Sequence, residues 1–277
     1  MTSSAPAVSV VTISHERDLH LGRQLAALAS LADHGLESIV VLMDQPVVPA
    51  SCDRPLVRVV HVDGRPLPLG EARNAGARAA RGETVVFLDV DVIPEAGAVE
   101  QLVAEAEHGG VVMADPWYLP PSWDGRELPG GALPHPSRAH LAVGRTDRYE
   151  MFWSLGFACR REVFDSVGGF DDSYAGYGAE DTDFAFTLRA AQVPLAFSSA
   201  RVFHQAHAVV RPPLHHLDSI VVNARRFREK FGTWPMEGWL RAFAERGLVD
   251  WTADRLDLVR RPTEAEIEAA RDPHAHF

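Results

Sequence analysis

The sequence predicts an α/β fold, a sheet of buried strands with helices on both faces, and three observations predict it. Short β-branched apolar runs alternate with segments whose apolar residues recur every three or four positions across residues 8–114. The runs are apolar almost throughout, as strands covered on both faces are. They end in polar residues, and ligands of such sheets bind outside the carboxyl ends of the strands.

Residues 8–13 (VSVVTI) form the first run, bounded by Ser14. Residues 19–32 then place Leu21, Leu25, Leu28 and Ala32 on one helical face. A second strand at 38–43 (SIVVLM) ends at Asp44-Gln45-Pro46 and completes a βαβ unit. Residues 56–62 are a third strand, and 69–80 a helix closed by Arg81-Gly82, with glycine in the usual stop position. The fourth strand, 84–88 (TVVFL), runs straight into Asp89-Val90-Asp91. A helix at 96–106 and a short strand at 111–114 follow.

From 115 to 148, prolines and glycines exclude long regular elements, and a loop of this length is functional or mobile. Residues 152–159 and a helix-like segment at 161–167 follow, then the glycine-rich turn Gly168-Gly169-Phe170-Asp171. A helix at 180–191 carries acidic residues in its first turn, where the dipole favours them. Residues 195–203 form a last strand. The tail from 213 to 277 reads as helical and amphipathic in pieces, such as 219–231.

Composition narrows the function. The 277 residues are 46% hydrophobic and 23% charged, an ordinary globular balance long enough for one large domain or at most two. A formal charge of −11 argues against nucleic acid and anionic membrane as partners, while leaving room for a local basic pocket. Lys230 is the single lysine, and Cys52 and Cys159 are too few and too far apart for a disulfide framework. No leader pattern and no apolar stretch of spanning length is present, so a cytoplasmic protein without a membrane span is expected.

Three constellations could carry chemistry. In an extended chain, Asp89 and Asp91 face the same side and can share a hard divalent cation that neutralises a diphosphate; the alternative is two aspartates that merely end a strand. Glu180, Asp181 and Asp183 open a helix after Gly176-Tyr177-Gly178. They are either a solvated first turn or a tuned general base beside backbone that approaches a ligand closely. His204 and His207, three apart at the end of the last strand, are either structural or further metal ligands.

Taken in order, VSVVTIS, EARNAGARAARGETVVFLDVDVIP, FWSLGFACRREVFDSVGGFDDSYAGYGAEDTDFAFTLRAAQ and ARVFHQAH resemble the GT-A glycosyltransferases over about residues 7–210. The first half is similar to the inverting family 2, and the second also to the galactosyltransferase and polypeptide N-acetylgalactosaminyltransferase group. The resemblance implies a GT-A fold: a Rossmann-like mixed sheet flanked by helices. Residues 1–212 would be the catalytic domain, with a nucleotide-sugar half at 7–114 and an acceptor half at 115–212, followed by a helical C-terminal extension at 213–277. It implies that Asp89 and Asp91 hold a cation, Mn²⁺ or Mg²⁺, and the donor diphosphate, with His204 completing the metal site and His207 as second choice. Arg73 and Asn74 would lie against the nucleotide, which suits arginine as a fork of phosphate donors. Asp44 would face the base, Ser14 and Glu16 would lie over the same pocket, and Trp153 would line the donor sugar and acceptor. Asp181 would be the catalytic base, with Glu180 binding the acceptor.

The implied reaction moves a sugar from a nucleoside-diphosphate sugar, UDP favoured, to a hydroxyl on a small metabolite, saccharide or lipid-linked acceptor, with inversion. The competing readings are a retaining enzyme of the same fold, a nucleotidyltransferase, and an inactive sugar-nucleotide binding protein. A nucleotidyltransferase would want a glycine-rich loop with a lysine after 8–13, and none follows. Trp117, Tyr118, Trp123 and Trp153 are candidates to stack on sugar rings or to pack the core, with Trp117 and Trp123, in the Pro/Gly-rich loop, assigned to the acceptor pocket. The extension is read as a cap over the acceptor site or a homodimer contact.

Overall fold

The structure is a computed structural model and describes residues 7–30, 35–64, 66–126, 131–273 and 275. The first expected alternation forms as β1 (Val8–Ser14), α1 (Asp18–Leu28), β2 (Leu36–Met43), β3 (Val57–Val62), α2 (Leu69–Ala79) and β4 (Thr84–Leu88). The helix expected to reach residue 32 ends at Leu28, and residues 31 and 32 lie outside the described residues. There follow β5 (Val92–Pro94), α3 (Ala98–Ala106), β6 (Val111–Tyr118), β7 (Leu133–Pro134), β8 (Gly144–Thr146), β9 (Gly156–Arg160), α4 (Arg161–Ser166), α5 (Glu180–Ala190) and β10 (Leu195–His204). The C-terminal part comprises β11 (Val209–Val210), α6 (Leu217–Phe231), α7 (Glu237–Glu245), β12 (Val249–Trp251), β13 (Leu256–Leu258), α8 (Glu264–Ala269) and β14 (Arg271–Asp272).

The main sheet has the order β3-β2-β1-β4-β9-β6-β10-β5, with β7 on β6 and β8 on β10. β1, β2, β3 and β4 are parallel. β9 runs antiparallel between β4 and β6, and β10 is parallel to β6. The carboxyl ends of β1, β2, β4, β6 and β10 therefore share one edge, where a ligand of such a sheet binds.

Alternate residues of the strands serve two cores. Val11, Phe87 and Phe157 face a cluster with Phe164, Phe170 and Phe184, while Val10, Val86 and Ala158 face Leu28, Leu102 and Val202. The first core is a stack of rings, with Phe87 and Phe157 centroids 4.5 Å apart and Phe170 and Phe184 centroids 4.4 Å apart.

Three features went beyond the sequence expectation. β6 continues four residues past 114 despite Pro116, because Asp115 to Tyr118 pair in register with Arg201 to His204. β5 forms directly after the aspartate pair because Val92 to Pro94 close the antiparallel edge of β10. The tail contains the expected helices but also two small sheets, β11 with β14 and β12 with β13. It has a core of its own around Leu217, Ile220, Leu240, Phe243 and Leu248, and it places Phe227 of α6 in the main core.

Candidate active site

The chain leaves β4 at Leu88. Asp89 N then donates to Leu155 O at 2.9 Å, and Val92 N donates to Asp89 O at 2.9 Å, so Asp89-Val90-Asp91 is a tight turn rather than an extended pair. The two carboxylates have different partners for that reason. Asp89 Oδ1 accepts from Arg73 Nη2 at 2.8 Å, whereas Asp91 Oδ2 lies 3.2 Å from His207 Nε2 and 3.6 Å from His204 Nε2. Arg73 thus sits against Asp89, and the two imidazoles against Asp91. Among the described residues, the set whose ligand atoms lie within 4.8 Å of one another is Asp91, His204 and His207.

His204 reaches Asp91 through sheet register: it pairs with Val92 across the β10–β5 ladder, and Gln205 N donates to Asp91 O at 2.7 Å. Burial pushes the Asp91 pKa up, but the two imidazoles outweigh it and hold the carboxyl below the ordinary range. Burial lowers the His204 pKa against the pull of Asp91, leaving a neutral ring with a lone pair to offer. One carboxylate and two imidazoles in a half-buried cluster are a borderline donor set. They fit a Mn²⁺-like ion better than Mg²⁺, which prefers oxygen.

Arg73 is buried on α2 and bridges two elements, donating to Asp89 and, at 3.5 Å, to Glu180 Oε1 on α5. Burial disfavours its charge, but Asp89 and Glu180 keep it protonated. The three α5 carboxylates divide their work. Glu180 is buried against Arg73, and its pKa is pushed up to about 7 by burial and by Asp181. Asp181 is half-buried, accepts from Thr182 N at 2.7 Å, and is also raised by burial. Asp183 is buried and structural, held by Tyr174 Oη at 2.9 Å and by Lys230 Nζ of α6 at 2.9 Å.

The remaining expected residues fall into two groups. Ser14 ends β1 on the ligand edge, with its buried Oγ lacking a hydrogen-bond partner. Glu16 and Asp44 line an open groove of about 500 Å³ with Asp18 and Gln45 at the same edge. Asp44 Oδ1 there accepts from Gly64 N at 2.9 Å. Asn74 is buried on α2 and bonds to the segment at 170–172. Its Nδ2 donates to Phe170 O at 2.8 Å and Asp172 Oδ1 at 2.6 Å, and its Oδ1 accepts from Phe170 N at 2.9 Å. Its amide ties α2 to the turn that follows α4.

Trp153 is half-buried, with His135 edge-on at 4.7 Å. His135 meets Tyr118 at 5.5 Å, and Tyr118 stacks on His204 at 4.8 Å, so a wall of rings joins Trp153 to the metal-type cluster. Tyr118, one of the rings expected to stack on sugar or pack the core, ends β6 as His204 ends β10. Sequence reasoning missed His135. His135 sits in the loop at 115–148, where no periodicity guides the eye. Trp117 and Trp123 pack on Leu119, Ala132 and Phe203.

The mixed sheet flanked by helices, with its ligand edge at the ends of β1, β2, β4, β6 and β10, is the GT-A fold. Residues 9–168 match Glycosyl transferase family 2, and the chain belongs to that family. Residues 134–214 also match the family described as N-terminal domain of galactosyltransferase. Two validoxylamine A glucosyltransferases are similar, from Streptomyces hygroscopicus subsp. limoneus (28% identical, covering 71% of this chain and 51% of the relative) and subsp. jinggangensis (27%, 71% and 54%). The chain thus spans about half the length of these curated relatives. Among solved structures, GalNAc-T7 with UDP, GalNAc and Mn²⁺ superposes with a TM-score of 0.57 at 17% identity, covering 72% of this chain and 43% of that one. Residues 1–349 of S. aureus TarS superpose with 0.54 at 16%, covering 80% and 65%.

Proposed function

We propose that this glycosyltransferase moves a sugar from a UDP-sugar to an acceptor hydroxyl in one displacement that inverts the anomeric carbon. The observation that carries the reading is that Arg73 links Asp89, at the start of the turn holding Asp91, to Glu180, beside Asp181. A donor-side cluster and a candidate base are thus held in one cleft. Asp91, His204 and His207 would hold a divalent cation, which supplies charge stabilisation for the departing diphosphate. Asp181 takes the proton from the acceptor oxygen as it attacks, and Glu180, kept close by Arg73, binds a neighbouring acceptor hydroxyl. Arg73 contributes fixed positive charge beside Asp89 without leaving the protein interior. Ser14, Glu16 and Asp44 line the side where a nucleoside fits, and Trp153 the side where the sugars fit.

The relatives' names make a glucosyl donor the first to try, and validoxylamine A the first acceptor. Among the described residues no helix is long and apolar enough to cross a membrane. The test is a thermal-shift panel of nucleoside diphosphates with and without Mn²⁺, followed by transfer assays with the matching donors. Stabilisation by UDP that needs Mn²⁺, with product of inverted configuration, is expected. Equal stabilisation with and without metal, or a retained configuration, would contradict the proposal.

A further inference from the structure

The sequence GYG before α5 looks like a ligand-approach loop, yet in the structure its close approach is to the C-terminal extension. Gly176 has φ +74°, and a Cβ there would lie 2.5 Å from the Ser219 Cβ; Gly178 has φ +99°, and a Cβ there would meet the Met236 sulfur at 2.9 Å and Ile220 at 3.3 Å. Ser219, Ile220 and Met236 all belong to the extension, and the first two lie on α6.

The centre of this contact is Asn223, on the inward face of α6 and 1% exposed. Its Nδ2 donates to Gly178 O at 2.9 Å and Ala175 O at 3.1 Å, with Tyr177 O at 3.5 Å. Ser219 Oγ accepts from Tyr177 N at 3.2 Å. The Tyr177 ring stacks on His216 at 4.6 Å and on Trp239 at 5.7 Å. Two residues after the last of these carbonyls, the chain enters α5 at Glu180 and Asp181, and Lys230 of α6 grips Asp183 two positions further on. α5 begins without a side-chain cap of its own, at Ala179 with φ 73°. The loop's direction into the helix is therefore set from outside, by α6.

We propose that Asn223 is a positioning residue for the Glu180–Asp181 pair, so that the C-terminal extension acts in catalysis by fixing the loop from Ala175 to Gly178. This rests on the reading of Asp181 as base. The side-chain amide donates to the carbonyls of Ala175 and of the buried Gly178, and it holds them in the arrangement that aims the first turn of α5 into the cleft. A base displaced by about an ångström costs on the order of 10²-fold in rate.

The test compares the full-length wild-type chain with Asn223→Ala and with the milder Ser219→Ala by three measurements. These are amide exchange of residues 174–184 against residues 84–88 of β4, affinity for UDP with Mn²⁺, and kcat against KM for transfer. In both variants exchange at 174–184 should quicken while 84–88 keeps its protection. UDP affinity should stay within about twofold of wild type, and kcat should fall by roughly 10–100-fold, more in Asn223→Ala. The proposal is overturned by a folded Asn223→Ala that exchanges and transfers as wild type does, or by protection lost equally at 84–88, which marks a general structural role. A wild-type chain that transfers no sugar from any donor defeats the proposed function instead. That failure is visible without the variants, and the exchange contrast still decides what Asn223 holds.

Discussion

At the scale of single residues, the cleft rests on carboxylates made to do different jobs by their partners. Asp181→Asn should lower transfer by about 10²–10⁴-fold, the range for losing a general base, and leave UDP affinity within about twofold. Asp91→Ala should remove the Mn²⁺ dependence of UDP stabilisation in thermal shift, because it takes away the single carboxylate of the Asp91–His204–His207 set. Glu180 gives a stability signature. Its folded pKa is raised from 4.5 to about 7, so between those values the folded chain holds a proton that the unfolded chain releases. Stability should decline as pH rises through that window and level off above it, and Glu180→Gln should flatten the profile of denaturation midpoints between pH 5 and 8.

At the scale of elements, what was legible followed from local chemistry. β1, β2 and β4 are rich in β-branched apolar residues and buried on both faces, as central strands are. The turn after β4 was less legible: Asp89 and Asp91 look like an extended pair, but pairing of Val92 with His204 pulls the chain round and gives the carboxylates separate partners. The hydrogen bonds of Asn74 were not legible either, since only the packing of the turn at 168–171 against α2 reveals what its amide bonds. The glycines before α5 show how strict such packing is. Gly178→Ala puts a Cβ in the left-handed region and against Met236, and should destabilise the chain by about 1–3 kcal/mol in urea unfolding.

At the scale of the molecule, the C-terminal extension is joined to the main sheet rather than appended to it. Phe227 of α6 is fully buried and lies 5.0 Å from the Phe186 ring of α5. Phe227→Ala should therefore cost about 3–5 kcal/mol, the usual range for a buried ring, measured as a loss of unfolding free energy. A chain ending at residue 212 would lose that ring, the donors of Asn223 and the Lys230 contacts together. It should melt without a cooperative transition in calorimetry.

The sequence by itself determined the alternation of strands and helices, the edge at which ligands gather and the residue types there, because burial periodicity and strand-end polarity are written locally in the chain. The tertiary structure alone decided that Asp91 joins His204 and His207 while Asp89 joins Arg73. It also decided that Tyr118 and His135 wall the cleft and that α6 holds the loop before Glu180. Those pairings join residues up to about a hundred positions apart in the chain, and hydrogen-bond partners at such separation are set by strand register and helix packing, which no local pattern encodes.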